Sequence, residues 1–168
     1  RGQPRSKPPF PALQGLYAAP TLINNVETIA TVPKILELGG AEYAKLGVAN
    51  SAGTRVFSLS GNVVNGGNYE VPLGTTLREL IYDLGGGILG DKKLLAVIPG
   101  GSSCPVMLPE EIVKVPGDPR CDPYNGKSSL DLPMGVDTFR MVGGMLGTCC
   151  AIVLSEDVDP VLALKSAL

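Results

Sequence analysis

Histidine is absent from this chain, and so is tryptophan. Without an imidazole there is no base for a Ser–His or Cys–His nucleophile pair, and zinc loses its commonest nitrogen ligand. The four cysteines, Cys104, Cys121, Cys149 and Cys150, form no C-x-x-C spacing, so a metal site built from this chain is not expected. They read as buried, reduced thiols of a cytosolic type of protein rather than as disulfide partners. In the run "CCAIVLS" the adjacent pair Cys149 and Cys150 would face opposite sides of a strand. No apolar run reaches membrane-span length and no signal-peptide pattern opens the chain, so direct membrane insertion is not expected. The formal net charge of −2 gives no reason to expect nucleic acid as a partner. An initiator methionine is missing too, and "DPVLALKSAL" at the other end reads as a helix just beginning. The expectation is a piece of a longer protein.

Glycine (22) and proline (15) are plentiful among 168 residues, so turns and short elements should dominate. Prolines 4, 8, 9, 11 and 20 make residues 1–20 an extended, proline-rich arm carrying Arg1, Arg5 and Lys7. Phe10 sits between prolines and is either an anchor or a rigid stacking platform. In "PTLINNVETIATVP" Asn24 reads as a helix N-cap with Glu27 as its capping-box partner. Pro33 should interrupt that helix, and "PKILELGG" should form a second short one ended by Gly39 and Gly40. A single cap needs one asparagine. The second amide, at a helix start with free N–H groups, suits a phosphate or a polar ring edge.

A domain boundary is expected near residue 50. From Arg55 the period becomes two: Phe57, Leu59, Gly61 and Val63 alternate with polar residues. "NGG" at 65–67 signals a hairpin. Tyr69, Val71 and Leu73 form the returning strand, with Pro72 at an edge or strand end. Thr76 and Glu79 frame a helix over about 76–85, with Leu77, Leu80, Ile81 and Leu84 facing inward. "KLLAVI" reads as a buried strand, "EEIVKV" as a short strand in a Pro/Gly-rich excursion, "DTFRMVGGMLG" as a broken helix and "CCAIVLS" as a last strand. The glycine clusters at 85–87 and 99–103 lack the context of a phosphate loop and read as turns. Hairpin, helix, strand and late strand is the order of an α+β, β-grasp (ubiquitin-like) sheet.

The blocks "RSKPPFPALQGLYAAPTLINNVETIATVPKIL" and "GTRVFSLSGNV…YEVPLGTTLREL…AVIPGGSS" resemble the NADH-binding flavoprotein subunit of respiratory complex I. The same module occurs in NAD-dependent hydrogenase and formate dehydrogenase subunits. The resemblance covers most of the chain and is weakest from about Cys104 to Met134. It implies that residues 1–50 end an FMN/NADH-binding domain. Residues 51–155 would form the β-grasp domain called SLBB, for soluble ligand-binding β-grasp, and 156–168 would begin an iron–sulfur helical domain.

By the same resemblance, Asn24, Asn25 and Thr28 match positions that contact FMN, and Phe10 matches the aromatic that stacks on the adenine of NADH. No catalytic residue and no ligand of the family's 4Fe-4S cluster falls in this chain. The intact subunit would be an NADH dehydrogenase (quinone), with this piece mainly a spacer between flavin and cluster, inactive alone. Its partners would be other subunits of the peripheral arm, including the small 2Fe-2S subunit. Its place would be peripheral, on the cytoplasmic side of the bacterial inner membrane. The alternatives are a stand-alone soluble ligand-binding β-grasp module, or a subunit of a soluble NAD-dependent hydrogenase or formate dehydrogenase.

Overall fold

The computed structural model describes residues 3–109, 119 and 122–167. It divides into two compact units, 1–40 and 41–168. Cys121 and the run "EEIVKV" lie outside the described residues.

In the first unit, residues 10–21 close into a loop. The Phe10 carbonyl accepts from the N–H groups of Leu13 (2.9 Å) and Gln14 (3.0 Å), and the Pro11 carbonyl accepts from Thr21 N–H (2.8 Å). A short 3₁₀ turn, Leu16–Ala18, holds Tyr17 and Ala18 at positive φ. Gly15 is required here: a Cβ would lie 2.4 Å from that of Thr21. The extended reading of the arm thus does not hold over 10–21, where backbone bonds turn the chain back. The helix α1 follows as one element, Val26–Leu38, with Pro33 inside it, where the sequence pattern predicts a break. Proline removes one i→i−4 bond, but α1 buries no residue, so water can satisfy the carbonyl that is freed. Gly39 at φ 83° ends it.

A short helix α2 (Gly40–Tyr43) begins at the last residue of the first unit, and the second unit continues with a small antiparallel pair, β1 (Gly47–Val48) with β2 (Ser51–Ala52). The main sheet has four strands: β3 (Thr54–Gly61), β4 (Gly67–Pro72), β5 (Leu94–Ile98) and β6 (Cys150–Ser155), in the order β4-β3-β6-β5. β3 and β4 form the expected hairpin, with Leu59 opposite Gly67. β4 is an edge strand, which tolerates Pro72. β6 enters parallel to β3 and antiparallel to β5. The architecture is mixed α/β.

Thr76 and Glu79 make the capping box. The Glu79 carboxylate accepts from Thr76 N–H (2.7 Å), and Thr76 Oγ1 accepts from Glu79 N–H (3.2 Å). The helix they start winds as a π helix over Glu79–Leu84. That wider winding corrects one expectation. Leu77, Leu80 and Ile81 are fully buried, whereas Leu84 rotates off their face and is 39% exposed. Phe57, Leu59, Val97, Ala151 and Val153 supply the sheet side of the core. The excursion after β5 returns to this core with Leu130, Leu132 and Met134, all buried. Helix α3 (Val136–Met141) adds Phe139, and α4 (Pro160–Ala167) closes the described chain. Cys104 and Cys149 are buried and Cys150 is half-buried, and none of the three is in a disulfide.

Candidate functional site

The asparagine pair sits at the start of α1, but the roles are shifted by one residue from the expected ones. Asn25, not Asn24, is the N-cap. Its Oδ1 accepts from Glu27 N–H at 2.8 Å and from Thr28 N–H at 3.3 Å, with an extended backbone at φ −65° and ψ 139°. The reason is the position of the first helical turn: Ile29 N–H bonds the Asn25 carbonyl at 3.1 Å, which makes Asn25 the half-in residue. Asn24 stands one residue outside the helix, exposed.

This placement decides what the helix start can offer. Two first-turn N–H groups are already spent on Asn25 Oδ1, so the bare N-terminus that would cradle a phosphate is partly used. The Asn25 oxygen is committed, which leaves its amino group as a donor. Asn24 has a whole amide, able to give and to accept. Thr28 adds an exposed hydroxyl one turn in. The helix start therefore offers a mixed set of exposed donors and acceptors rather than a row of free N–H groups.

Phe10 is 54% exposed, with its carbonyl fixed in the turn at Leu13 and Gln14. The structure therefore brings Asn25 and Thr28 into one hydrogen-bonded turn beside Asn24, and fixes Phe10 at the head of the 10–21 loop. Thr21, which no motif marks, ties that loop to the approach to α1. Its Oγ1 accepts from Leu16 N–H (2.9 Å) and donates to the Ala19 carbonyl (2.9 Å). A threonine following proline at a chain reversal is the only sequence signal it carries.

Among the described residues no group of three or more His, Cys, Asp or Glu side chains could hold a metal ion. Among the described residues no helix is long and apolar enough to cross a membrane.

Residues 56–107 match the SLBB domain. The chain is 43% identical over 156 residues to the NADH-quinone oxidoreductase F 2 subunit of Rhizobium meliloti (strain 1021), covering 93% of this chain and 33% of the relative. It is 41% identical over 168 residues to the NADH-quinone oxidoreductase F subunit of Aquifex aeolicus (strain VF5), covering 99% of this chain and 34% of the relative. The chain thus spans about a third of the length of the curated relatives it matches. Among solved structures, an NAD+-reducing [NiFe]-hydrogenase in the air-oxidized state aligns with TM-score 0.69 and 28% identity, over 95% of this chain and 24% of that one. Residues 56–107 are thus similar to the SLBB domain, and the chain that carries them is similar, along nearly all of its length, to a third of the F subunit of NADH-quinone oxidoreductase.

Proposed function

We propose that this chain is part of an NADH-quinone oxidoreductase F subunit that takes hydride from NADH onto FMN and passes electrons to a 4Fe-4S cluster. The observation that carries it is the 41–43% identity sustained over 93–99% of the chain. Residues 1–50 end the FMN/NADH-binding domain, 51–155 form a β-grasp spacer, and 156–168 begin the cluster-bearing helical domain. The strand order β4-β3-β6-β5, with a first hairpin and a late central strand, supports the β-grasp reading. Bound FMN supplies the switch between two-electron and one-electron chemistry. Asn24, Asn25 and Thr28 line one edge of its ring: Asn25 donates, Asn24 gives or accepts, and Thr28 offers its hydroxyl. Phe10 stacks on the adenine of NADH. The subunit works in the peripheral arm, against the small 2Fe-2S subunit and its neighbours, on the cytoplasmic side of the bacterial inner membrane.

The hydrogenase likeness favours a second reading, a subunit of a soluble NAD-linked enzyme, which shares the flavin chemistry and differs in the final acceptor. Its identity is lower, 28% against 41–43%.

The test is flavin affinity of a full-length F subunit carrying these residues. Asn25→Asp keeps a capping oxygen and removes the amino donor, whereas Asn25→Ala removes both. Both variants should bind FMN roughly two- to tenfold more weakly, the worth of one hydrogen bond, and only Asn25→Ala should loosen α1. The 168-residue chain alone should bind FMN weakly or not at all, since enclosure and phosphate contacts lie elsewhere. Micromolar binding by the chain, or wild-type affinity in both variants, would overturn the assignment.

A further inference from the structure

The sequence holds two Asn-Gly dipeptides, Asn65-Gly66 at the tip of the β3–β4 hairpin and Asn125-Gly126 in the excursion after β5. Asparagine before glycine is chemically labile. The glycine nitrogen can attack the side-chain amide carbon, and with no Cβ on the glycine nothing crowds the five-membered ring that closes. A folded chain permits the reaction where the amide is open to water and the attacking N–H is free. Asn125 is engaged in an interaction of its own. Asn65 meets both conditions.

Asn65 and Gly66 are exposed. The free N–H follows from the ladder. Ser58 and Asn62 send their N–H groups to the carbonyls of Cys149 and Val153, on the β6 side. Backbone groups alternate sides along a strand, so Leu59 bonds toward β4, where its partner is Gly67. Gly66, one residue earlier, turns its N–H away from β3, and among the described residues no acceptor meets it. The main chain just before it is held: Asn65 N–H bonds the Gly85 carbonyl (2.8 Å), and Val64 N–H bonds that of Gly87 (3.0 Å). Tyr69, half-buried against the core, donates its hydroxyl to the Asn65 carbonyl at 2.8 Å. That carbonyl and the Gly66 N–H belong to one peptide unit. Drawing charge onto the oxygen makes the N–H more acidic, and the deprotonated nitrogen is the form that attacks.

We propose that Asn65 is a deamidation site of the folded chain, with Tyr69 activating the attacking peptide. The Gly66 nitrogen gives its proton to hydroxide and bonds Asn65 Cγ. The Cγ–Nδ2 bond breaks, the leaving nitrogen takes a proton from water, and ammonia departs from a cyclic imide. Water then opens the ring at either carbonyl, leaving aspartate or isoaspartate at position 65. The net change is water taken up and ammonia released. Both products act on the same place. Asn65 Nδ2 lies 2.8 Å from where a Cβ on Gly86 would stand, just past the π helix. A carboxylate there faces the carbonyl end of that helix. Isoaspartate also adds a carbon to the main chain between the Gly85 bond and the Gly67 pair, which puts the hairpin tip out of register.

Peptide-resolved mass spectrometry of the full chain, aged in mildly alkaline buffer with and without urea, tests this. The readouts are the mass gain of amide-to-acid exchange and labelling by an isoaspartyl-specific methyltransferase. In the folded chain Asn65 should deamidate on the order of tenfold faster than Asn62 and Asn68, which flank the same turn but precede the bulkier Val63 and Tyr69. Gly66→Ala, whose Cβ would lie 3.3 Å from the Leu59 carbonyl, should slow the reaction on the order of tenfold. Asn65→Gln should abolish it with the fold intact. Tyr69→Phe should slow it about two- to tenfold in the folded chain, the worth of one hydrogen bond, and leave the rate in urea unchanged. An Asn65 that survives in the folded chain while it reacts in urea, or a folded rate no higher than that of Asn62 and Asn68, would overturn the proposal. Equal or faster reaction in folded Tyr69→Phe would overturn the part given to Tyr69.

Discussion

The two compact units use similar residues to opposite ends. In the second, leucines such as Leu77, Leu80 and Leu132 are fully buried. In the first, no described side chain is buried, and Leu36, Val26 and Leu22 are 78%, 83% and 87% exposed. Burying a side chain of that size is worth about 1.5–3 kcal/mol, a gain the first unit largely forgoes. Its helix rests instead on local terms: the Asn25 cap, the Thr31 hydroxyl donating to the Thr28 carbonyl, and the exposed Lys34–Glu37 pair. Terms of this kind contribute about 1 kcal/mol or less each. Under the proposed function, the rest of the flavin domain covers this apolar surface.

The sharpest way to break that comparison is to cut equivalent apolar side chains in both units. Leu77→Ala should cost about 2–5 kcal/mol in urea denaturation, since it opens a cavity in a fully buried site. Leu36→Ala should stay within about 0.5 kcal/mol. Similar losses in the two would mean that α1 has a core after all. The caps offer a finer cut. Thr76→Ala removes a cap from a helix whose buried face is locked in the core, and should lower global stability by about 1 kcal/mol. Asn25→Ala should show instead as faster hydrogen exchange confined to the first turns of α1, with the denaturation midpoint unmoved.

The smallest expected effect is one of pH. Lys92 and Ser155 both hydrogen-bond the Asp157 carboxylate and hold its pKa down at about 2, below the ordinary value of 3.8. A depressed carboxylate stabilises the fold above its unfolded pKa, and the gain is lost as pH falls through the folded value. Asp157→Asn should therefore lower the stability of the second unit modestly near neutrality and flatten its profile between about pH 4 and pH 2, with variant and wild type converging at the acid end. Asp131, lowered chiefly by its bond to Arg78, adds to the same acid limb. A variant profile parallel to wild type through that window would remove Asp157 from the account.

What is legible in the sequence is what is local. The hairpin at 54–72 and the Thr76–Glu79 box are written in adjacent residues, so period and spacing expose them. Leu130, Leu132 and Met134 are not legible as core. They lie in a stretch without helical or strand period, and only the tertiary return of the chain buries them. The asparagines lie between these cases. Both are good caps, and Asn24 has Glu27 at the box spacing, so a one-residue slip follows from two equal signals. The structure resolves it with Asn25 over Glu27 and Thr28. The grouping of Asn24, Asn25 and Thr28 at one helix start is readable. The closing of the 10–21 loop by Thr21 is not, because its bonds run to backbone groups that no side-chain pattern reports.

The place of β6 in the sheet carries a consequence for the order of events during synthesis. β6 lies between β3 and β5, and it pairs Ser58 with Cys150 across the longest stretch of chain in the sheet. Until Cys150–Ser155 emerges, the nascent chain holds a hairpin and a separate strand with nothing to join them. Closing so long a loop adds only a logarithmic entropy penalty, yet the joining contact is non-local, and contacts of that kind slow folding. A chain cut just before Cys150 would therefore hold nearly every core residue of the unit and lack the strand that gathers them.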